Sequence, residues 1–375
     1  MLKKGKIGAR QFTILVMLYI IGNAILLIPS TLASVAKQDA WIAAMLAVGA
    51  ALLVIPLCVA LGNRFPNMTF TEYLEEIIGK WLGKAVSLLF LLGFPFVIAS
   101  MTLRNIGDFM TTQTIPETPI QMVHIIYMAV VVMGVRHGLE PLARAAEIFF
   151  PLVVLLFLIL VVFISPQMKF VNILPVMEGG IQAVLKAALP FFSFPLLEPV
   201  ILLMIFPHVN DRAKAGKALF AGVLLGGIVL CVTTMMTILV LGADQTARNV
   251  FPSYVAAKNI NIGQFLERIE MILAVLWIVT SFFRLTLLFH ISTFGIAQTL
   301  NLKDDRFLTL PLAMILVVLS IVVLPHITYL INFNPVWGVY APTYGLVLPL
   351  LLLGIAIIRK KRSNESNDRY DEGRR

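Results

Sequence analysis

Glu198 stands between Pro195 and Pro199 in an otherwise apolar stretch, and Arg284 stands in another with no acid three or four positions away. A charge at membrane depth is expensive, and it persists where it faces a bundle interior, pairs with a partner or marks a pathway. Two roles are open for Glu198. Its carboxylate either caps the half-helix that starts after the proline break, where the N-terminal dipole favours an anion, or meets a ligand amine, a coupling cation or Arg284. For Arg284 the partners to weigh are Glu198 and an anionic ligand group. Arg104 and Asp108 lie four apart, a spacing that lets them neutralise each other on one helix face. Glu147 has Arg144 three residues away, and Glu267 and Glu270 open a span where acids suit a helix N-terminus, so these read as structural. His124, His290 and His326 are isolated and read as packing residues. No P-loop, nucleophile elbow or paired metal-ligand motif occurs, so no catalytic residue, metal site or cofactor is expected. Cys58 and Cys231 each lie in an apolar run and indicate no disulfide framework.

The elements that must position these charges are membrane helices. Of 375 residues, 59% are hydrophobic and 13% charged, and mean hydropathy is +0.93, far from the roughly 25% charged residues of soluble domains. Spans are expected at 10–36, 40–63, 81–112, 119–136, 141–165, 181–207, 214–242, 264–299, 307–325 and 335–358. The first is too long for the core of a signal peptide. Two of the ten are interrupted at matching places, Gly22-Asn23-Ala24 through Pro29-Ser30 and Pro190 through Pro199. Breaks in a bilayer survive only where protein or a polar ligand satisfies the freed backbone. Matching breaks in two halves point to a binding site between inverted repeats.

Most of the 29 Lys and Arg residues fall on the face of the N-terminus, and Lys37, Lys169, Lys186, Arg248, Lys258 and Arg268 on the other, which places both termini in the cytoplasm. The net charge of +9 is thus a topology signal, and without interleaved aromatic residues it does not indicate nucleic acid. Thr69 and Glu72 have capping-box spacing, and Phe70, Tyr73, Leu74, Ile77 and Ile78 make an apolar stripe expected to lie flat on the inner surface. The stretch Phe251 to Asn261 reads as a short outer lid. Gly222 and Gly226 suit close internal helix packing. The organisation expected is a single transmembrane domain over 1–362, with repeats at about 8–165 and 175–358, and a disordered cytoplasmic tail over 363–375.

The patterns I-G-N-A-I-L-L-I-P, E-Y-L-E-E-I-I-G-K-W-L-G, R-N-I-G-D, P-E-T-P-I-Q, P-L-L-E-P-V-I-L-L-M-I-F-P and F-L-E-R-I-E-M-I-L-A-V-L-W together resemble the B subunit of spore nutrient germinant receptors, from Lys6 to Lys361. The resemblance implies an all-α integral membrane protein of the amino acid, polyamine and organocation transporter superfamily. Its fold would have ten transmembrane helices in the LeuT-type five-plus-five inverted repeat, with broken first and sixth helices. It implies a spore inner-membrane receptor that senses a small-molecule nutrient, typically an amino acid or sugar, and works with A and C subunits. Carried over by position, the pocket would use Gly22, Asn23 and Ala24, Ile98 and Thr102, Phe194 to Glu198, and Arg284 with Leu288. Arg104 and Asp108 match charged positions of the third helix. Some relatives place a small polar residue where Arg284 stands, so the arginine either alters ligand preference or fills part of the site. The alternative function is an H⁺ or Na⁺ coupled amino acid secondary transporter, since one fold serves both uses.

Overall fold

The computed structural model describes residues 5–259, 268–323 and 336–359. Glu267, His326, the end of the Phe251–Asn261 stretch and the tail fall outside them. Among the described residues every extended regular element is a helix, and the one β contact is an isolated parallel bridge between Ile7 and Val209. The first crossing is two helices, α1 (Ala9–Ile21) and α2 (Ala24–Ala36). The second is α3 (Ala40–Arg64). After the short α4 (Phe70–Ile78), the third crossing runs through α5 (Lys80–Gly93) and α6 (Pro95–Phe109), meeting where Pro95 starts a new helix. Then follow α7 (Ile120–His137), α8 (Leu139–Ile164), α9 (Gly180–Phe191) and α10 (Arg212–Leu241). The short α11 (Ala243–Arg248) and α12 (Pro252–Lys258) precede α13 (Glu270–Thr299), α14 (Arg306–Val322) and α15 (Val336–Ile358).

Eight described helical segments are long and apolar enough to cross a membrane. They join α2 to α3 in one segment, and α1 and α14 are shorter apolar helices. With α1 and α2 taken as one crossing, the described helices supply the ten expected spans. Outward faces carry Ile126 and Met133 on α7 and Ile148, Leu155 and Val162 on α8, all exposed, as a hydrocarbon solvent requires.

Between helices, lipid offers no hydrophobic driving force, so close approach at small residues matters. A Cβ added at Gly222 would lie 2.5 Å from Val16 Cβ, and one at Gly226 2.7 Å from Ile20 Cβ. The G-x-x-x-G stripe therefore seats α10 on α1 within the chain. α13 is central, packing on α1, α5, α6, α7 and α8, and every side chain from Phe283 to Ala297 is buried. The capping box forms: Thr69 N–H donates to Glu72 Oε2 at 2.7 Å, and Phe70, Tyr73, Leu74 and Ile77 are buried. Glu147 has structural partners other than its sequence neighbour Arg144. Its carboxylate takes Gln11 Nε2 at 3.0 Å and Arg10 Nε at 3.6 Å, while Arg144 pairs with Glu140 one turn earlier on α8.

Candidate ligand-binding site

The first break is confined to Gly22 and Asn23. Gly22 N–H still donates to Leu18 O at 3.0 Å, closing α1, and α2 starts at Ala24. Pro29 and Ser30, expected within the break, lie inside α2, because the ring of Pro29 removes a donor without unwinding the helix around it. Asn23 holds the gap from two sides. Its Oδ1 accepts from Ser281 Oγ of α13 at 3.0 Å, and its Nδ2 donates to Thr102 O of α6 at 3.4 Å. The second break follows α9: Phe194 is extended (φ −131, ψ 120), and a tighter helical stretch resumes over Glu198–Met204.

Glu198 and Arg284 join the two breaks. Arg284 Nη2 donates to Glu198 Oε2 at 2.6 Å, and Tyr19 Oη donates to the same oxygen at 2.8 Å. Arg284 Nη1 reaches Tyr19 O in the last turn of α1 at 2.9 Å. The guanidinium lies 4.5 Å from the centroid of the Tyr19 ring and 5.1 Å from that of Phe194, within cation–π range. Both charged side chains are 0% exposed. Of the two roles open for Glu198, the ion pair forms: Oε2 accepts from Arg284 and Tyr19, and Oε1 has no partner among the described residues, so no capping bond is made there.

Beside this junction lies a cavity of about 150 Å³. Of the residues carried over by position, Asn23, Ile98, Thr102, Phe194 and Glu198 line it. Gly22, Ala24, Arg284 and Leu288 do not: Arg284 and Leu288 are fully buried, and a Cβ on Gly22 would meet Arg284 Cδ at 2.4 Å. Gly22 is thus open for an arginine stem. Arg104 and Asp108 also lie away from the lining; Arg104 Nε donates to both carboxylate oxygens of Asp108 at 3.0 Å, as their spacing allowed.

Sequence reasoning missed Met101 and Asn105 on α6, Leu27, Ser30, Thr31 and Ser34 on α2, and Trp337 on α15. A signal was present for most of them. Ile98 and Thr102 belong to the series 98, 101, 102, 105, one face of a helix, and 27, 30, 31 and 34 form the same series on α2. Two buried acceptors of the lining, Glu198 Oε1 and Asn105 Oδ1, have no hydrogen-bond partner among the described residues. Unpaired buried acceptors are costly, so this wall suits an occupant that donates hydrogen bonds. Among the described residues no group of three or more His, Cys, Asp or Glu could hold a metal ion.

Two broken helices, one shared junction and a small cavity beside it define a permease-like membrane protein of the LeuT fold. Solved structures agree. MhsT in complex with L-phenylalanine superposes with a TM-score of 0.69 at 12% identity, covering 92% of this chain and 97% of that one. Mhp1, a nucleobase-cation-symport-1 family transporter, gives 0.64 at 13% identity, covering 92% and 79%. At these identities the likeness concerns the fold. The family model described as Spore germination protein matches residues 6–326, and the chain belongs to that family. It is 30% identical over 372 residues to Spore germination protein KB of Bacillus subtilis (strain 168), covering 97% of this chain and 98% of that protein. It is 26% identical over 361 residues to Spore germination protein YndE of the same organism, covering 95% and 98%.

Proposed function

We propose that this chain is the nutrient-sensing B-type subunit of a spore germinant receptor, without catalytic turnover, and that its ligand occupies the cavity between the two breaks. The observation that carries the reading is a small cavity beside the junction of the two breaks, two of whose lining residues, Glu198 and Asn105, keep a buried acceptor without a partner among the described residues. Their chemistry suits a compact nutrient with an ammonium group or several hydroxyls, such as an amino acid or a sugar-like polyol. Asn23, Ile98, Thr102 and Phe194 also line the cavity, as does Arg248 of α11. Gly22 and Arg284 act from beside it by fixing the end of α1. Binding there would shift the balance between two states of the helix pair that meets at Asn23, and A- and C-type subunits would read that shift. The reading sets the protein in the spore inner membrane with both termini cytoplasmic, as a single transmembrane unit over 1–362 built from repeats at about 8–165 and 175–358.

The second reading is an H⁺ or Na⁺ coupled amino acid transporter, which the likeness to the transporter Mhp1 favours. Spores carrying Thr102→Trp test the primary reading. The indole should fill the cavity and abolish the response to nutrient while the protein remains at normal abundance. An unchanged dose response with verified variant protein would remove the cavity from the account.

A further inference from the structure

We propose that Arg284 is a tethered cation filling a latent monovalent-cation site at the broken end of α1, so that this permease-like chain binds its ligand without an inorganic coupling ion. The inference rests on the reading of the chain as a permease-like ligand-binding protein and deepens it.

The site has the components of a cation cage. A helix ends in unpaired carbonyls and a partial negative charge. Half-helix C-termini and unwound carbonyls are what hold coupling ions in transporters built from broken helices. Here the last turn of α1 presents Tyr19 O, and the carboxylate of Glu198 faces it from the second break. Both oxygens are taken by one guanidinium, at 2.9 Å and 2.6 Å. The Tyr19 and Phe194 rings flank that charge and close it off from solvent, and Arg284 is 0% exposed.

The chain also makes room for this cation. The Arg284 stem passes Gly22 so closely that a Cβ there would lie 2.4 Å from Cδ and 3.1 Å from Cβ of the arginine. Its neighbour Ser281, one turn earlier on α13, fixes Asn23 from the other side of the break. Arg104 and Asp108 form a second buried ion pair, both on α6, and neither lines the cavity. A covalently held cation cannot dissociate into the opposite compartment. It therefore satisfies the break permanently, where a diffusible ion would tie occupancy of the break to an ion gradient.

The test uses the full chain purified in lipid nanodiscs, with NaCl, KCl and LiCl compared against N-methyl-D-glucamine chloride at constant ionic strength. Wild type should show the same Tm in every salt and retain no radioactive sodium in equilibrium dialysis. Arg284→Ser empties the cage without removing its oxygens. It should be unstable in N-methyl-D-glucamine and gain about 5 °C or more in Tm as one of the inorganic cations approaches saturation, and the gain should vanish in Arg284→Ser/Glu198→Gln. Arg284→Lys keeps a tethered charge and should fold without inorganic cation. A cation-dependent Tm in wild type that Glu198→Gln removes would overturn the proposal. So would an Arg284→Ser protein that is folded but indifferent to all three cations, or one that none of them recovers. Since only inorganic cations are used as probes, each of those failures would leave nutrient binding in the cavity untouched, and loss of nutrient binding there would leave the cation result untouched.

Discussion

Glu198 and Arg284, both from the C-terminal half of the chain, meet at 2.6 Å with neither side chain exposed, and through the further contact of Arg284 Nη1 with Tyr19 O they tie the end of α1 to the start of the second half-helix. Removing one partner of a buried pair leaves an uncompensated charge, at a cost of about 3–5 kcal/mol. Glu198→Gln and Arg284→Gln should each lower Tm and abundance sharply, and the double variant should be milder than either. The check is a four-way comparison of thermal unfolding. Additivity within about 0.5 kcal/mol would mean the two residues act independently.

Gly22 is expected to be intolerant because of Arg284. Gly22→Leu places atoms where the arginine stem passes, and overpacking of this kind costs about 1–3 kcal/mol. The nutrient response should fall along with protein abundance, and Arg284→Ser combined with Gly22→Leu should recover part of the lost stability in the inorganic cation that stabilises Arg284→Ser. A Gly22→Leu protein of normal stability would refute the assignment of the glycine to the arginine stem.

Asn105 offers a cleaner separation of binding from folding. It is 5% exposed and its Oδ1 has no partner among the described residues. Asn105→Leu therefore breaks no described bond to that oxygen, while a ligand loses an acceptor that contributes about 1.5–3 kcal/mol if the donor is charged. The nutrient half-saturation in spores should rise by about tenfold or more, with abundance unchanged. An equal fall in abundance and response would make the residue structural.

Thr69 supplies a control away from the cavity. Its hydroxyl donates to Gln298 Oε1 at 2.8 Å and accepts from Glu72 N–H at 3.4 Å in the capping box, so it fastens α4 to the end of α13. Thr69→Ala should cost about 1 kcal/mol of stability and leave the nutrient half-saturation unchanged. A shifted half-saturation would extend the site to the far end of α13.

Much of this arrangement is legible in the residue string because the bilayer penalises exceptions. A broken span needs a reason, and Gly22-Asn23 and Pro195 with Pro199 stand out against their apolar flanks. Glu198 and Arg284 are deep charges without local partners, so their pairing follows from cost. The same reasoning fails for Glu147: Arg144 is near in sequence, yet α8 packs on α1 and brings Gln11 and Arg10 nearer. Local spacing does not report which neighbouring helix arrives. The cavity wall was half legible for a related reason. Ile98 and Thr102 define a face of α6 that continues to Asn105, but which stripe faces a void and which faces a neighbour depends on helix packing. Trp337 had no signal, since nothing in its flanking residues marks the approach of α15 to the first break.

The central claim, that a permease fold serves here as a receptor, is tested most directly by one measurement: radiolabelled nutrient and purified chain in sealed proteoliposomes under an imposed proton or sodium gradient. The account predicts saturable binding that Asn105→Leu weakens, independent of the gradient, with no accumulation beyond the binding sites present. Concentrative uptake that a protonophore or the loss of sodium abolishes would contradict it.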